Sequence, residues 1–568
     1  AKVAPGAIYK YRIEGKDAFP DPASRYQPLG VHGPSQVIDF SKFAWKSPNW
    51  KGIPLEKLAI FELHVGTFSS EGTFRGVENH LPYLADLGVN AIELMPVADF
   101  PGRHNWGYDG VSINAPARCH GRPEDLVQLV DTAHSLGLAV FLDVVYNHFG
   151  PDGNYLGIYT PYFESKKNTS PWGAAINFDG EHSDMVRRYF IDSALYWLNA
   201  YCLDGLRLDA THAIIDHGKP HFLAELSTKV HATITDRKVH LIAEDHRNLA
   251  HMVKPVSAGG WGLDGIWADD FHHQVRRLLA GDSEGYFRDF TGSTQDLATN
   301  IQQGWFFTGQ HSIHLNEPRG TDPTGLNPRA FVICLQNHDQ IGNRAFGERL
   351  HHQIELCAYR AASALLLLAP QTPLLFMGQE WAASTPFRFF TDFDEQLGNL
   401  VTAGRRQEFR HFSAFTDPKV RESIPDPQAE ATFQQSILDW SEKDHQPHLG
   451  MHELYRTLLH LRQTEPALQC SEVDSFRCLA PTEHSIILER TSPSGDRLLL
   501  VCQLVGSGKL DSNENPVLSA FLDTAWNCLF TTEDLRFTQD GHPPSIQQSS
   551  ENLCIDFPCP CAVLLKER

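Results

Sequence analysis

The stretch PEDLVQLVDTAHSLGLAVFLDVVYNH, residues 123–148, holds the pattern that decides the fold. Its first half places Leu126, Leu129, Val130 and Ala133 at helical spacing, and Gly137 follows where a left-handed residue would stop a helix. Its second half, from Ala139 to Val145, is a nearly continuous apolar run, as expected of a strand buried on both faces in a parallel sheet. The run ends in polar residues, Asn147 and His148. A helix followed by a fully buried strand is the repeating half of a β/α unit.

The unit recurs along the chain. Eight short apolar runs stand out: LAIFELHV, NAIELMPV, AVFLDVVYNH, GLRLDA, HLIAED, GIWADD, FVICLQNHD and TPLLFMG. Each is followed by Gly, Asp, Asn or His and then by a stretch expected to be helical, such as GVENHLPYLADLG after the first. Eight alternations favour a closed (β/α)8 TIM barrel over an open doubly wound sheet. No GxGxxG follows the first strand, which argues against a dinucleotide-binding sheet.

The barrel is expected over residues 51–469, closing with MHELYRTLLHLRQTEPAL, whose Leu454, Leu458, Leu459 and Leu461 form one apolar face. Residues 1–50 hold a hairpin-like YKYRIEG and the Pro-rich PDPASRYQPLG, read as a remnant N-terminal β module and an extended connector. Residues 470–568, with HSIILER, RLLLVCQLV and CAVLLKER between turn-forming segments, read as a C-terminal antiparallel β-sandwich domain.

Composition narrows the classes. Lys and Arg number 48 against 69 Asp and Glu, a formal charge of −21, so a phosphate-binding surface for nucleic acid is not expected. The most apolar stretch, Ala361 to Gly378, is broken by Pro370, Gln371 and Pro373, and no membrane span is expected. The eleven cysteines are scattered without paired CxxC spacing and are read as reduced and mostly buried, with a cluster at Cys554, Cys559 and Cys561. The start of the chain shows no basic region followed by an apolar core, and a soluble cytoplasmic protein is expected.

Barrel enzymes build their sites at the carboxyl ends of the strands, and here those ends are polar. They hold Asp143, Asn147 and His148; Arg207 and Asp209; Glu244, Asp245 and His246; Asp269 and Asp270; and Asn337, His338 and Asp339. One carboxylate alone is explained by helix capping or an ion pair. Five such ends meeting at one mouth place mutually repelling carboxylates together, an arrangement retained mainly where function needs it. Glycoside hydrolysis or transfer suits converging carboxylates with His and Arg, and a divalent metal site using the same groups is the competitor.

DVVYNH, GLRLDATH, LIAEDHRN and LQNHDQIGNR, in that order, resemble the four conserved regions of the α-amylase superfamily, glycoside hydrolase family 13. The resemblance implies that Asp209 is the catalytic nucleophile, Glu244 the general acid/base and Asp339 the transition-state stabiliser. It further implies that Arg207 supports the ionised Asp209, that His148 and His338 bind hydroxyls of the sugar in the cleaved position, and that Tyr108 stacks on that ring. Within the superfamily, the connector FPDPASRYQPLGVHGPSQV and the segments HNWGYDGV, WADDFHH, NHDQIGNRAFGERL and GQEWAASTPFRFFTDF resemble the malto-oligosyltrehalose trehalohydrolases. These hydrolyse the α-1,4 bond next to the terminal trehalose of a short α-glucan.

That resemblance implies malto-oligosyltrehalose and α-glucans as substrates, a malto-oligosyltrehalose synthase as functional partner, and a full β-sandwich ahead of the connector. His212, Asp245, His246, Asp269, Gln340 and the aromatic loop around Trp381 are the candidates for the leaving-group side, with Trp172, Phe178 and Trp261 as candidate platforms for the glucan. Many amylases have Lys where His212 stands. Asn147 stands where some amylases bind structural calcium; with no further ligands identifiable it is read as a loop hydrogen-bonding residue, and no metal or cofactor is expected. The alternatives are a branching enzyme or a plain α-amylase of the same superfamily, and, from another class, an inactive glucan-binding relative.

Overall fold

The computed structural model describes residues 3–549 and 551–568. Eight parallel strands close into a barrel: β1 (Ile60–Leu63), β2 (Ala91–Leu94), β3 (Ala139–Val144), β4 (Gly205–Leu208), β5 (His240–Ala243), β6 (Gly265–Trp267), β7 (Phe331–Cys334) and β8 (Thr372–Phe376). They run in chain order around the ring, and β8 closes on β1. All eight fall within the apolar runs, as burial on both faces requires.

The opening stretch folds as expected. Helix α1 (Phe74–Leu87) starts where the Thr73 side chain accepts from the Gly76 N–H and stops at Gly88, whose φ of +101° only glycine adopts freely. Helix α2 (Pro123–Ser135) has Pro at its first position, and its Leu126, Val127, Leu129, Val130 and Ala133 are buried. Each such leucine or valine contributes roughly 1.5–3 kcal/mol of burial free energy.

One expected helix is missing. Between β5 and β6 the chain makes only two single 3-10 turns, Ala250–Met252 and Val256–Ala258. The connecting residues include Pro255, Gly259, Gly260 and Gly262, which break helical propagation. The apolar stretch from Ala361 to Gly378 divides between helix α3 (Leu356–Leu368) and β8, and among the described residues no helix is long and apolar enough to cross a membrane.

Residues 8–36 form two short antiparallel pairs, Ile8–Tyr9 with Ser35–Gln36 and Tyr11–Arg12 with Ala18–Phe19. The Pro-rich connector lies against the barrel, where Tyr159 donates to the Pro20 carbonyl at 2.6 Å and Tyr189 to that of Pro22 at 2.7 Å. After the barrel's last long helix, α4 (His448–Thr464), come a five-stranded and a three-stranded antiparallel sheet. Ile487, Leu499 and Val563 of the first pack with Leu510 and Ile555 of the second.

Buried polar contacts tie these sheets to the barrel. Arg360 of α3 pairs with Glu533, and Arg490 donates to the carbonyl of Leu368 at the end of α3, where the helix dipole favours a cation. Of the eleven cysteines, all free, only five are wholly buried, fewer than expected: Cys334, Cys478, Cys502, Cys554 and Cys561.

Candidate active site

The hydrogen-bond ladder continues past the strand ends, and this positions the acids. The Asp209 N–H donates to the Val144 carbonyl at 3.1 Å, and the Glu244 N–H to that of Leu208 at 3.0 Å. Between them Ala210 sits at φ +38°, a left-handed conformation costing about 1–3 kcal/mol in a residue with a side chain. Its N–H donates to Glu244 Oε2 at 2.6 Å, so this turn links one acid to the next.

Arg207 organises the floor. It is fully buried; Nη1 donates to Asp143 Oδ2 at 2.6 Å and to Asp209 Oδ1 at 2.8 Å, while Nη2 lies 3.0 Å from Glu244 Oε2. The guanidinium also lies over the Trp267 ring, 4.3 Å from its centroid. Burial works against its charge, but Asp143, Tyr108, Glu244 and Asp209 outweigh it and hold it protonated. Asn147 donates to Asp209 Oδ2 and to the Asp209 carbonyl, both at 2.8 Å, and its own oxygen meets His148 Nδ1. Asn147 is thus a hydrogen-bonding residue of the loop after β3, with its amide braced between Asp209 and His148.

Asp339 accepts from Asn343 Nδ2 at 3.2 Å, and His338 Nε2 lies 3.4 Å from it. Asp209, Glu244 and Asp339 face one cleft of about 510 Å³, walled by Trp106, Tyr108, His148, Trp172, His212, Asn343, Phe389, Arg405 and Glu408. Nearby, burial and then Glu244 and Asp339 push Asp269 up to about 7. Burial and then His212 push His246 down to about 4, and the two imidazoles meet edge to face at 4.3 Å.

Residues 44–169 match the family described as "Alpha amylase, catalytic domain". A malto-oligosyltrehalose trehalohydrolase of Deinococcus radiodurans is 46% identical over 506 residues, covering 88% of this chain and 81% of that protein. The chain belongs to the malto-oligosyltrehalose trehalohydrolase family. The fold agrees: a crystal structure of a Salmonella typhimurium protein assigned as an alpha amylase superposes with a TM-score of 0.87 at 37% identity, over 100% of this chain and 91% of that one. A 1,4-alpha-glucan branching enzyme GlgB of Bacillus cereus is 32% identical over only 48% of this chain and 47% of its own length.

Against this trehalohydrolase frame, several expected contacts lie elsewhere. Trp381 is fully buried, packed on Tyr83 and Trp440, and takes no part in the cleft. Phe178 is likewise core, stacked on Phe222 at 4.3 Å. Asp245 is buried away from the cleft; Arg247 Nη2 at 2.6 Å and Thr211 Oγ1 at 2.8 Å donate to its Oδ2. Trp261 stacks on His221 at 3.9 Å, outside the cleft lining. Gln340 opens onto an adjoining hollow with Tyr286, Asp282 and Arg344.

Trp172 does line the cleft, half exposed and stacked on His148 at 4.4 Å from the hairpin Glu164–Ser170 and Gly173–Ile176. Tyr108 donates to Asp143 and stacks on His338 at 5.3 Å. Arg405 and Glu408, unmarked by any motif, reach the cleft from the helix Glu395–Glu408 after β8.

Proposed function

We propose that this chain hydrolyses, with retention, the α-1,4-glucosidic bond next to the terminal trehalose of malto-oligosyltrehalose, releasing trehalose and a malto-oligosaccharide. The observation that carries the reading is one guanidinium, Arg207, holding Asp209 and Glu244 on adjacent strand ends of a single cleft that also receives Asp339. Asp209 attacks the anomeric carbon while Glu244, protonated, gives its proton to the departing trehalose oxygen. A covalent β-glucosyl ester on Asp209 results. Glu244, now a base, takes a proton from water, which attacks the same carbon and frees Asp209. Asp339 binds ring hydroxyls more tightly in the flattened, cation-like state than in the relaxed sugar.

Carboxylates supply nucleophile, acid and base, so no cofactor enters the scheme. Tyr108 and His148 flank the cleaved sugar, while His338, expected to bind its hydroxyls, is fully buried with both ring nitrogens engaged and holds Tyr108 instead. His212, His246 and Asp269 meet the trehalose unit, whose hydroxyls leave buried donors unpaired if another sugar takes its place. The catalytic unit spans residues 51–469, and 1–50 and 470–568 flank it. The substrate comes from a malto-oligosyltrehalose synthase, and the reaction belongs in the cytoplasm.

Incubation with malto-oligosyltrehalose and, separately, with a malto-oligosaccharide of equal length tests the reading. Free trehalose from the first, at a rate well above any cleavage of the second, is the expected result. New α-1,6 branches would replace it with a branching enzyme, and internal cleavage of both substrates with a plain α-amylase.

A further inference from the structure

Two buried carboxyl groups of the barrel, Glu62 and Glu93, have no part in the scheme above. Glu62 on β1 and Glu93 on β2 are register partners, each 1% exposed, on neighbouring strands of the barrel. Both carboxyl oxygens of Glu93 lack a hydrogen-bond partner. Glu62 is fully engaged with one residue: its Oε2 accepts the His338 backbone N–H at 3.0 Å, and its Oε1 meets His338 Nδ1.

Counting protons around His338 decides its charge. Burial raises Asp143 to about 7, and above that pH, ionised against Arg207, its Oδ2 takes the one hydroxyl proton of Tyr108 at 2.6 Å. The Tyr108 oxygen, 2.6 Å from His338 Nε2, can then only accept, so Nε2 carries a proton. On the other side Nδ1 faces the Glu62 carboxylate, an acceptor. Both ring nitrogens are therefore donors.

We propose that Glu62 is a positioning residue for this reaction: it holds His338 as an imidazolium, which anchors Tyr108 and stands beside Asp339 at the mouth of the barrel. The inference rests on the trehalohydrolase reading of the acids. The groups facing His338 are Glu62 from β1, Glu93 from β2, Tyr108, Asp143 from β3, Arg207 from β4, the neighbouring His64 and Asp339 itself. Burial lowers His338, but Asp339 and Glu62 overcome it and raise it to about 9. Burial, then the nearby Glu62, drives Glu93 well above the ordinary carboxylate range, so Glu93 is the neutral member of the pair. A cation at this position favours the ionised Asp339 that the cation-like state needs.

The test is the pH profile of kcat and kcat/KM for trehalose release by the full chain and by Glu62→Gln, Glu62→Asp and Glu93→Gln. Since the imidazolium exists below about 9, Glu62→Gln should draw the alkaline limb of kcat down by at least ~1 pH unit. It should also lower kcat on the order of 10²-fold, with little change in KM. Glu62→Asp should restore much of the limb, and Glu93→Gln should track the unmodified chain.

An alkaline limb unmoved in Glu62→Gln, or moved as far in Glu93→Gln, overturns the proposal. Should Glu62→Gln not fold, ring-carbon NMR of labelled histidines in the unmodified protein, with His338→Asn assigning the resonance, decides it. A His338 resonance titrating near 9 supports the proposal, and one titrating at or below 6.5 refutes it. If the unmodified chain releases no trehalose, the functional reading fails instead.

Discussion

Replacing Asp209 with Asn lowers trehalose release on the order of 10⁵-fold, the scale seen when the attacking group of a cooperating set is removed. The amide has no charge with which to attack the anomeric carbon, and nothing else in the cleft stands in for it. The fold should survive. Asp209 now accepts from Arg207 on one oxygen and from Asn147 on the other, both at 2.8 Å. An Asn side chain must turn its NH2 group toward one of those donors, which costs about 1–3 kcal/mol of local pairing. Single-turnover assays and calorimetric binding of a malto-oligosaccharide check the two halves. Binding should stay within a few-fold of the original while turnover disappears; retained turnover would remove Asp209 from its assigned role.

The second large effect concerns Arg207. Replacement by Met leaves Asp143 and Asp209, both buried, and Glu244 without the cation that their desolvation requires. Breaking a buried ionic cluster from one side costs about 3–5 kcal/mol, so the denaturant midpoint should fall clearly. Activity should fall on the order of 10³-fold as well, because the two acids lose their common anchor. Arg207→Lys recovers only part of either loss, since an ammonium is a point charge and cannot span acids placed on both arms of a planar fork. Urea unfolding followed by circular dichroism, together with trehalose release, reads both. A Met variant as stable as the original chain would show that the carboxylates do not depend on this residue.

How much of this was legible in the sequence follows from which physical signals are one-dimensional. The eight barrel strands could be read because burial on both faces forces an apolar run, and each such run is followed by a polar end and, in most cases, a helix. The helix expected between β5 and β6 does not form, because Pro255 and the three glycines that follow outweigh the β/α alternation there. Strand ends marked a set of carboxylates at the mouth of the barrel, and the resemblance to the α-amylase superfamily singled out Asp209, Glu244 and Asp339 among them.

Side-chain direction was harder. Glu244 and Asp245 are adjacent, and alternation along an extended chain sends neighbours to opposite sides, so only one could enter the cleft. Trp381 lies on the loop after β8, but its indole turns inward onto Tyr83 and Trp440, a choice fixed by packing between segments far apart in the chain. Glu62 and Glu93 were visible as single carboxylates within two apolar runs. Their meaning emerged only from the β1–β2 register that sets them side by side. Arg405 and Glu408 gave no signal, since a polar helix on a long loop looks alike wherever it docks.

In the proposed reaction Asp209 bonds to the sugar while Glu244 moves the proton. A fluorinated α-glucosyl fluoride, which forms the glycosyl ester quickly and releases it slowly, tests this in one experiment when the protein is digested and its peptides are weighed. A single glucosyl adduct is expected on the peptide containing GLRLDATH, localised to Asp209. An adduct on Glu244 or Asp339, or an initial product of inverted anomeric configuration with no adduct at all, would contradict it.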